Sequence, residues 1–243
     1  MTEYEELFSP IQIGSMEAPN RVVHVPTDIS SANADGSVSK NMIRYHEEIA
    51  KGGTGFIIVG ATTPDSQTGR PTVTCLAADD DTLIPGLHKL AEAMQKHGAK
   101  AAAQIQHPGR QAATYDEEPI SCNDMFVEVP ASAGHAKRGF GKHVRGMTVD
   151  EVQDMVEKHA EAAWRLQEAG FDAVEFHGAH GYLIAQFMSP YTNKRNDMYG
   201  GYFEDRMRFI KQIIQRTRDK CGDDFPILLR YSGEEWIEGG RWL

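Results

Sequence analysis

Residues 171–182 read FDAVEFHGAHGY: a short apolar run, then two histidines three apart and a tyrosine two further on. A largely unbroken apolar run suits a strand buried on both faces, as in a parallel sheet, better than the alternating pattern of a half-exposed one. The residues that follow it at once are able to donate hydrogen bonds or move protons. The question set by this stretch is what kind of fold places such groups at the C-terminal end of a buried strand.

Four other runs have the same form: RVVHV from 21, GFIIV from 55, KAAAQIQ from 100 and FPILLRY from 225. Helical periodicity fills the intervals. Thr148 with Glu151 makes a capping box that opens a helix with Val152, Met155, Val156, Ala160 and Ala163 on one face, and Gly170 is its left-handed stop. Asp81 is the expected cap of an earlier helix with the stripe Leu83, Leu87, Leu90 and Met94, ending at Gly98. A further helix runs through Phe203, Met207, Ile210 and Ile214 to Gly222, and another spans roughly 40–52.

Five βα units of this kind fit either a doubly wound sheet or a (β/α)8 TIM barrel. The doubly wound sheet usually carries a glycine-rich phosphate turn after its first strand, and here that turn reads PTDISSANADG, with no G-x-G-x-x-G. The α/β class is therefore expected in its barrel form, truncated to about the first five βα units. Residues 1–243 are expected to be the N-terminal portion of one barrel domain, with strands 6–8 belonging to a longer protein. An unclosed arc would otherwise leave two strand edges unpaired.

In such a barrel the chemistry collects where strands end. The polar groups found there are Thr27 and Asp28, Thr62 and Thr63, Gln104 and His107, His177 and His180, and Arg230. The segment 107–147 is long for a barrel loop and rich in Gly, Pro and charge, as expected of a lid over the mouth.

Composition narrows the partners. Lys+Arg 25 against Asp+Glu 35 gives a formal net charge of -10, which repels nucleic-acid phosphates and anionic lipid and argues against both as partners. The N-terminal stretch is acidic where a signal peptide is basic, and no apolar run has the length to span a bilayer, so a cytoplasmic protein is expected. The three cysteines, Cys75, Cys122 and Cys221, are far apart and lack C-x-x-C spacing; reduced thiols are expected.

His177 and His180 allow three readings. As metal ligands they lack an evident third partner and do not match a helical H-E-x-x-H. As core histidines they would each need a buried partner. As neutral donors toward a substrate oxygen, with Tyr182 as proton source, they suit the reduction of an activated double bond, which in turn requires a hydride carrier such as a flavin or nicotinamide. A metal-dependent barrel hydrolase or lyase and an inactive fragment stay open as alternatives on residues alone.

The blocks NRVVHVPT, GGTGFIIVGATT, QIQHPGR, HGAHGYLIAQFMSPYTNKRNDMYGGYFEDRMRF and LLRYS resemble, in order, those of the old yellow enzyme family of flavin-dependent ene reductases. The resemblance is closest to the bacterial branch of 2,4-dienoyl-CoA, enoate and bile-acid enone reductases. It implies a barrel that binds FMN and uses NAD(P)H to reduce a small-molecule enone or enoyl substrate. Pro26 and Thr27 would then lie against the flavin, Ala61 and Gln104 at its pyrimidine edge, and Arg230 at the side where reduced flavin gathers negative charge. His177 and His180 would hold the substrate carbonyl and Tyr182 would protonate the carbon beside it.

The branch often carries a 4Fe-4S cluster and a second nucleotide-binding module, and a homo-oligomer is compatible with it. The same superfamily includes amine dehydrogenases, which usually need an aromatic box; Trp236 and Trp242 do not build one convincingly. One departure stands out: Thr27, Asp28 and Ile29 replace the usual residues after the proline, and an acid beside an anionic flavin implies a shifted potential. The cofactor phosphate is expected from loops after strands 7 and 8, so residues 1–243 alone are expected to bind flavin weakly.

Overall fold

The computed structural model describes residues 4–113, 117–127 and 142–241. Elements run in the order β1 (Ile11–Ile13), β2 (Met16–Ala18), β3 (Val23–His24), α1 (Lys40–Lys51), β4 (Phe56–Thr63), β5 (Leu76–Ala77), α2 (Ile84–Gln95) and β6 (Lys100–Ile105). There follow β7 (Ile120–Ser121), β8 (Met125–Val127), β9 (Lys142–Gly146), α3 (Val149–Glu168), β10 (Ala173–Gly178), α4 (Leu183–Met188), α5 (Phe203–Arg206), α6 (Arg208–Cys221) and β11 (Ile227–Tyr231).

The five predicted runs are the five main strands, paired parallel in chain order β3-β4-β6-β10-β11. They form one arc of a (β/α)8 barrel, with α1, α2, α3 and α6 outside it. Side-chain alternation divides each strand between two cores. Ile57, Val59, Ala101, Ala103, Ile105, Val174 and Phe176 face the helices in the large outer cluster. Phe56, Ile58, Ala102 and Ala173 face inward, where Met16 and Ala18 of the β1–β2 hairpin cover them. These inward residues sit at the N-terminal ends of their strands, so the hairpin plugs that end and leaves the C-terminal rim to polar side chains.

The helices start and stop for legible reasons. Thr148 and Glu151 close the predicted capping box, and Gly170, Gly98 and Gly222 have φ of +85°, +88° and +83° beyond their helices. Two expectations need correction. Asp80 caps the short 3-10 turn that leads into α2, its side chain accepting from Thr82 N–H at 2.8 Å, and α2 itself has no side-chain cap; Asp81 sits inside that turn and pairs with Arg165 at 2.7 Å. The helix from Phe203 is two pieces meeting at Met207, where the flanking Arg206 and Arg208 donate to the carbonyls of Met188 and Met198.

The long segment after β6 is more than a loop. Its described part is a small sheet, ordered β7-β9-β8, which reaches α4 where Ser121 Oγ donates to Gln186 Oε1 at 2.8 Å. The rest of the expected lid, 114–116 and 128–141, lies outside the described residues. The three cysteines are free thiols.

Candidate active site

Register decides which polar groups meet. Ala173 pairs with Ala102 and Glu175 with Gln104 across β10 and β6, while His177 pairs with Arg230 across β10 and β11. Parallel partners point the same way, so Glu175 and Gln104 form one inward layer above the apolar plug, and His177 and Arg230 the layer above that. On β4 the pairing slips between Val59 and Thr62. Thr62 then pairs with the outward Ile105, so alternation puts Ala61 on the inner face. A Cβ on Gly60 would come within 2.8 Å of Pro26 Cβ and 2.9 Å of Thr27 N, so only glycine permits this approach of β4 to the end of β3.

His177, His180 and Tyr182 converge. The ring centroids of His177 and His180 are 4.8 Å apart at 89°, those of His177 and Tyr182 5.1 Å at 65°, and those of His180 and Tyr182 6.4 Å at 80°. Ala179 N–H donates to His177 Nδ1 at 3.4 Å, which assigns the His177 proton to Nε2. That Nε2 lies 3.1 Å from His180 Nδ1, leaving the His180 proton on its exposed Nε2. Both imidazoles are neutral: burial drives His177 down to about 3, with His180 and Arg230 adding to it, and burial with Arg230 lowers His180. Burial raises the Tyr182 phenol, Asp28 and Cys75 push the same way, and the Gln106 amide opposes them.

The backbone that delivers these groups is tightly held. His180 has φ +57°, a left-handed conformation costly for a side-chain-bearing residue. It is secured by its N–H donating to Ser232 Oγ at 3.3 Å and its carbonyl accepting from Gln111 Nε2 at 2.9 Å. Tyr182 then caps α4 in an extended conformation, and the next N–H, of Leu183, donates to the His107 carbonyl at 3.0 Å. Gln186, fully buried, ties α4 down by donating to Gly181 O at 2.7 Å and accepting from Ser121 Oγ.

Glu175 and Gln104 are joined by Gln104 Nε2 donating to Glu175 Oε1 at 2.6 Å. This fixes the amide and leaves Gln104 Oε1 as its remaining acceptor. Burial raises the Glu175 carboxyl, while Gln104 and then Arg230 hold it back. Arg230 is half-buried and makes no ion pair among the described residues. Asp28 is engaged locally: it accepts from Ser30 N–H at 2.8 Å and from Thr72 Oγ1 at 3.1 Å.

Of three further rim candidates, one is tied into its own loop and two turn outward. Thr63 Oγ1 closes its own loop onto Asp65 and Gly69 carbonyls, and Thr62 points outward. His107 pins its loop: Nδ1 accepts from Gly109 N–H, and Nε2 donates at 3.0 Å to Thr68 Oγ1, which donates at 2.6 Å to Asp65. Trp236 is 83% exposed and Trp242 lies outside the described residues, so the former contributes no box wall. The residues missed in the sequence are Glu175, Gln106, Gln111, Gln186 and Ser232. Period-two counting back from His177 and on from Gln104 would have found the first two; the others make contacts across 52 positions of chain (His180 and Ser232), 65 (Ser121 and Gln186) and 69 (Gln111 and His180).

Residues 6–241 match the NADH:flavin oxidoreductase / NADH oxidase family. The chain belongs to this family. It is 42% identical over 246 residues to an NADH oxidase of Thermoanaerobacter brockii, covering 100% of this chain and 36% of that protein. Among solved structures, a 2-naphthoyl-CoA reductase complexed with 2-naphthoyl-CoA superposes with a TM-score of 0.88 at 32% identity, over 98% of this chain and 37% of the other. The old yellow enzyme homologue of Zymomonas mobilis gives 0.87 at 27% identity, over 98% and 66%. The chain thus spans about a third of the longer relatives' length and about two thirds of the shorter one's.

Proposed function

We propose that the protein is an FMN-dependent oxidoreductase that uses NADH or NADPH to reduce the activated C=C bond of an α,β-unsaturated carbonyl compound. The convergence of two neutral imidazoles and an un-ionised phenol at the C-terminal rim carries this reading. On it, residues 1–243 are the N-terminal portion of a single FMN-binding barrel domain.

The residues present fit a flavin. Gln104, locked by Glu175, offers an acceptor suited to an imide N–H, and Arg230, without an ion pair among the described residues, offers a cation two side-chain positions above the plug. Pro26, Thr27 and Ala61 give a close, weakly polar surface for a flat ring. Bound FMN supplies the hydride, drawn from the nicotinamide.

The chain's own groups do the rest. His180 Nε2–H donates to the substrate carbonyl oxygen, and His177 holds that ring in the donating tautomer through the 3.1 Å contact to its Nδ1. A neutral donor is effective there because negative charge grows on the oxygen as the double bond is reduced. Tyr182 Oη delivers the proton to the carbon beside the carbonyl; its raised pKa keeps it protonated until a strongly basic carbon forms. The deciding test is enone turnover by the flavin-loaded protein and by His177→Ala/His180→Ala and Tyr182→Phe. Turnover about a hundredfold lower or less in each supports the reading, and wild-type turnover in both variants overturns it.

A further inference from the structure

The layer that carries His177 holds one more polar group, from β6. Gln106 follows Gln104 by two residues on the inner side, and its backbone N–H donates to the Thr62 carbonyl at 2.9 Å, continuing the strand pairing past Ile105. The side chain is 4% exposed, and its Nε2 is buried without completing a hydrogen bond. Buried amides ordinarily satisfy both ends, so an idle N–H beside a reacting group calls for a reason.

The Tyr182 ring, centred 5.1 Å from that of His177 in the same layer, lies within reach of this amide. The titratable groups that face this phenol are Asp28 from the end of β3, Cys75 from the turn before β5, and His177 and His180 from the end of β10. None of them is a cation that would welcome a phenolate: both histidines are neutral, Asp28 is an acid, and the Cys75 thiol is fully buried. Of the groups that act on the phenol, only the Gln106 amide favours its ionised form.

We propose that Gln106 is a positioning residue for the proton donor, its Nε2–H closing onto Tyr182 Oη as the phenolate forms. The inference rests on the proton-donor role given to Tyr182 above. In the step, the Oη–H bond breaks, the new C–H bond forms at the substrate carbon, and the electron pair stays on Oη. Negative charge therefore moves from the substrate to the phenol, and solvent later returns the proton. A hydrogen bond that is incomplete to the neutral phenol and complete to the anion stabilises the charged state selectively, which is the condition for accelerating the step rather than only binding.

The test uses Gln106→Met, which keeps length and removes the donor, with Gln106→Ala and Gln106→Glu beside it, all flavin-loaded. Isotope-labelled tyrosine, with the Tyr182 resonance assigned by Tyr182→Phe, gives the phenol titration directly by NMR. Tyr182 is expected to titrate at higher pH in Gln106→Met and Gln106→Ala, and higher again in Gln106→Glu, with the alkaline limit of kcat moving in parallel. In Gln106→Met, kcat is expected to fall about tenfold while KM stays within about twofold. An unchanged Tyr182 titration and kcat in Gln106→Met, while Tyr182→Phe is crippled, overturns the role of Gln106 alone. Wild-type turnover in Tyr182→Phe overturns the proton-donor reading itself, and the inference with it.

Discussion

His177 Nε2 lies 3.1 Å from His180 Nδ1, with the two rings close to perpendicular. One imidazole therefore orients the other, and the pair presents a single outward N–H rather than two independent ones. Burial lowers both rings, with Arg230 adding to it, so the pair stays a neutral hydrogen-bond donor to lower pH than a free histidine would.

The pairing predicts non-additive losses. Affinity for a phenolate inhibitor, read from its charge-transfer band with flavin, is expected to fall about tenfold or more in His180→Ala. It is expected to fall by a similar factor in His177→Ala, and by little further in the double variant. Strictly additive losses would mean that each ring meets the ligand separately.

Asp28 raises the Tyr182 phenol, so its removal has a defined sign. Asp28→Asn is expected to lower the pH at which Tyr182 titrates and to move the alkaline limit of activity down with it. The amide can still accept from Ser30 N–H or Thr72 Oγ1, so the local turn survives. Loss of this negative charge also favours reduced flavin, and the flavin midpoint potential is expected to rise. A spectroelectrochemical titration that finds no change in potential would place Asp28 out of electrostatic reach of the ring.

Arg195 joins the excursion to the barrel. Its guanidinium, mostly buried, donates to the carbonyls of Cys122 at 2.8 Å and Met147 at 2.6 Å, pairs with Asp197, and lies 5.8 Å from the Phe187 ring centre. Arg195→Met would leave two carbonyls without this donor and the Asp197 carboxylate with the Tyr199 N–H in place of the guanidinium pairing. Denaturant unfolding is expected to show a loss on the order of 3 kcal/mol.

Acid stability follows from two histidines in helices. His46 and His159 are buried, each with Nδ1 donating to a carbonyl four residues back, and burial lowers both to about 4. Unfolded, they titrate near 6.5, so between about pH 6.5 and pH 4 the unfolded chain binds more protons and stability falls as pH falls. Going from about pH 7 to about pH 5 is expected to cost up to about 2 kcal/mol per histidine. His159→Leu should reduce that dependence, and an unchanged pH slope of the urea midpoint would show that His159 is not buried neutral.

Local chemistry made much of this fold readable. The capping box of Thr148 and Glu151, the left-handed glycines at 98, 170 and 222, and the apolar runs that became the five parallel strands all act within a few residues of themselves. The misplacement of the cap by one residue, from Asp80 to Asp81, reflects two adjacent acids of equal capping ability, between which only the backbone conformation chooses. The meeting of His177, His180 and Tyr182 at the rim was legible because they share one short stretch, 177–182.

What the sequence determined by itself was the repeat and the polar content of each strand end, since strand and helix periods are properties of neighbouring residues. Which of those ends face the site was decided only in the tertiary structure. The slip between Val59 and Thr62 turns Thr62 outward and Ala61 inward, Glu175 finds Gln104 across 71 positions, and Ser232 reaches back to His180. The physical reason is that strand register and side-chain pairing are settled by contacts between distant parts of the chain, and a pattern read along one segment carries no information about which partner it will meet.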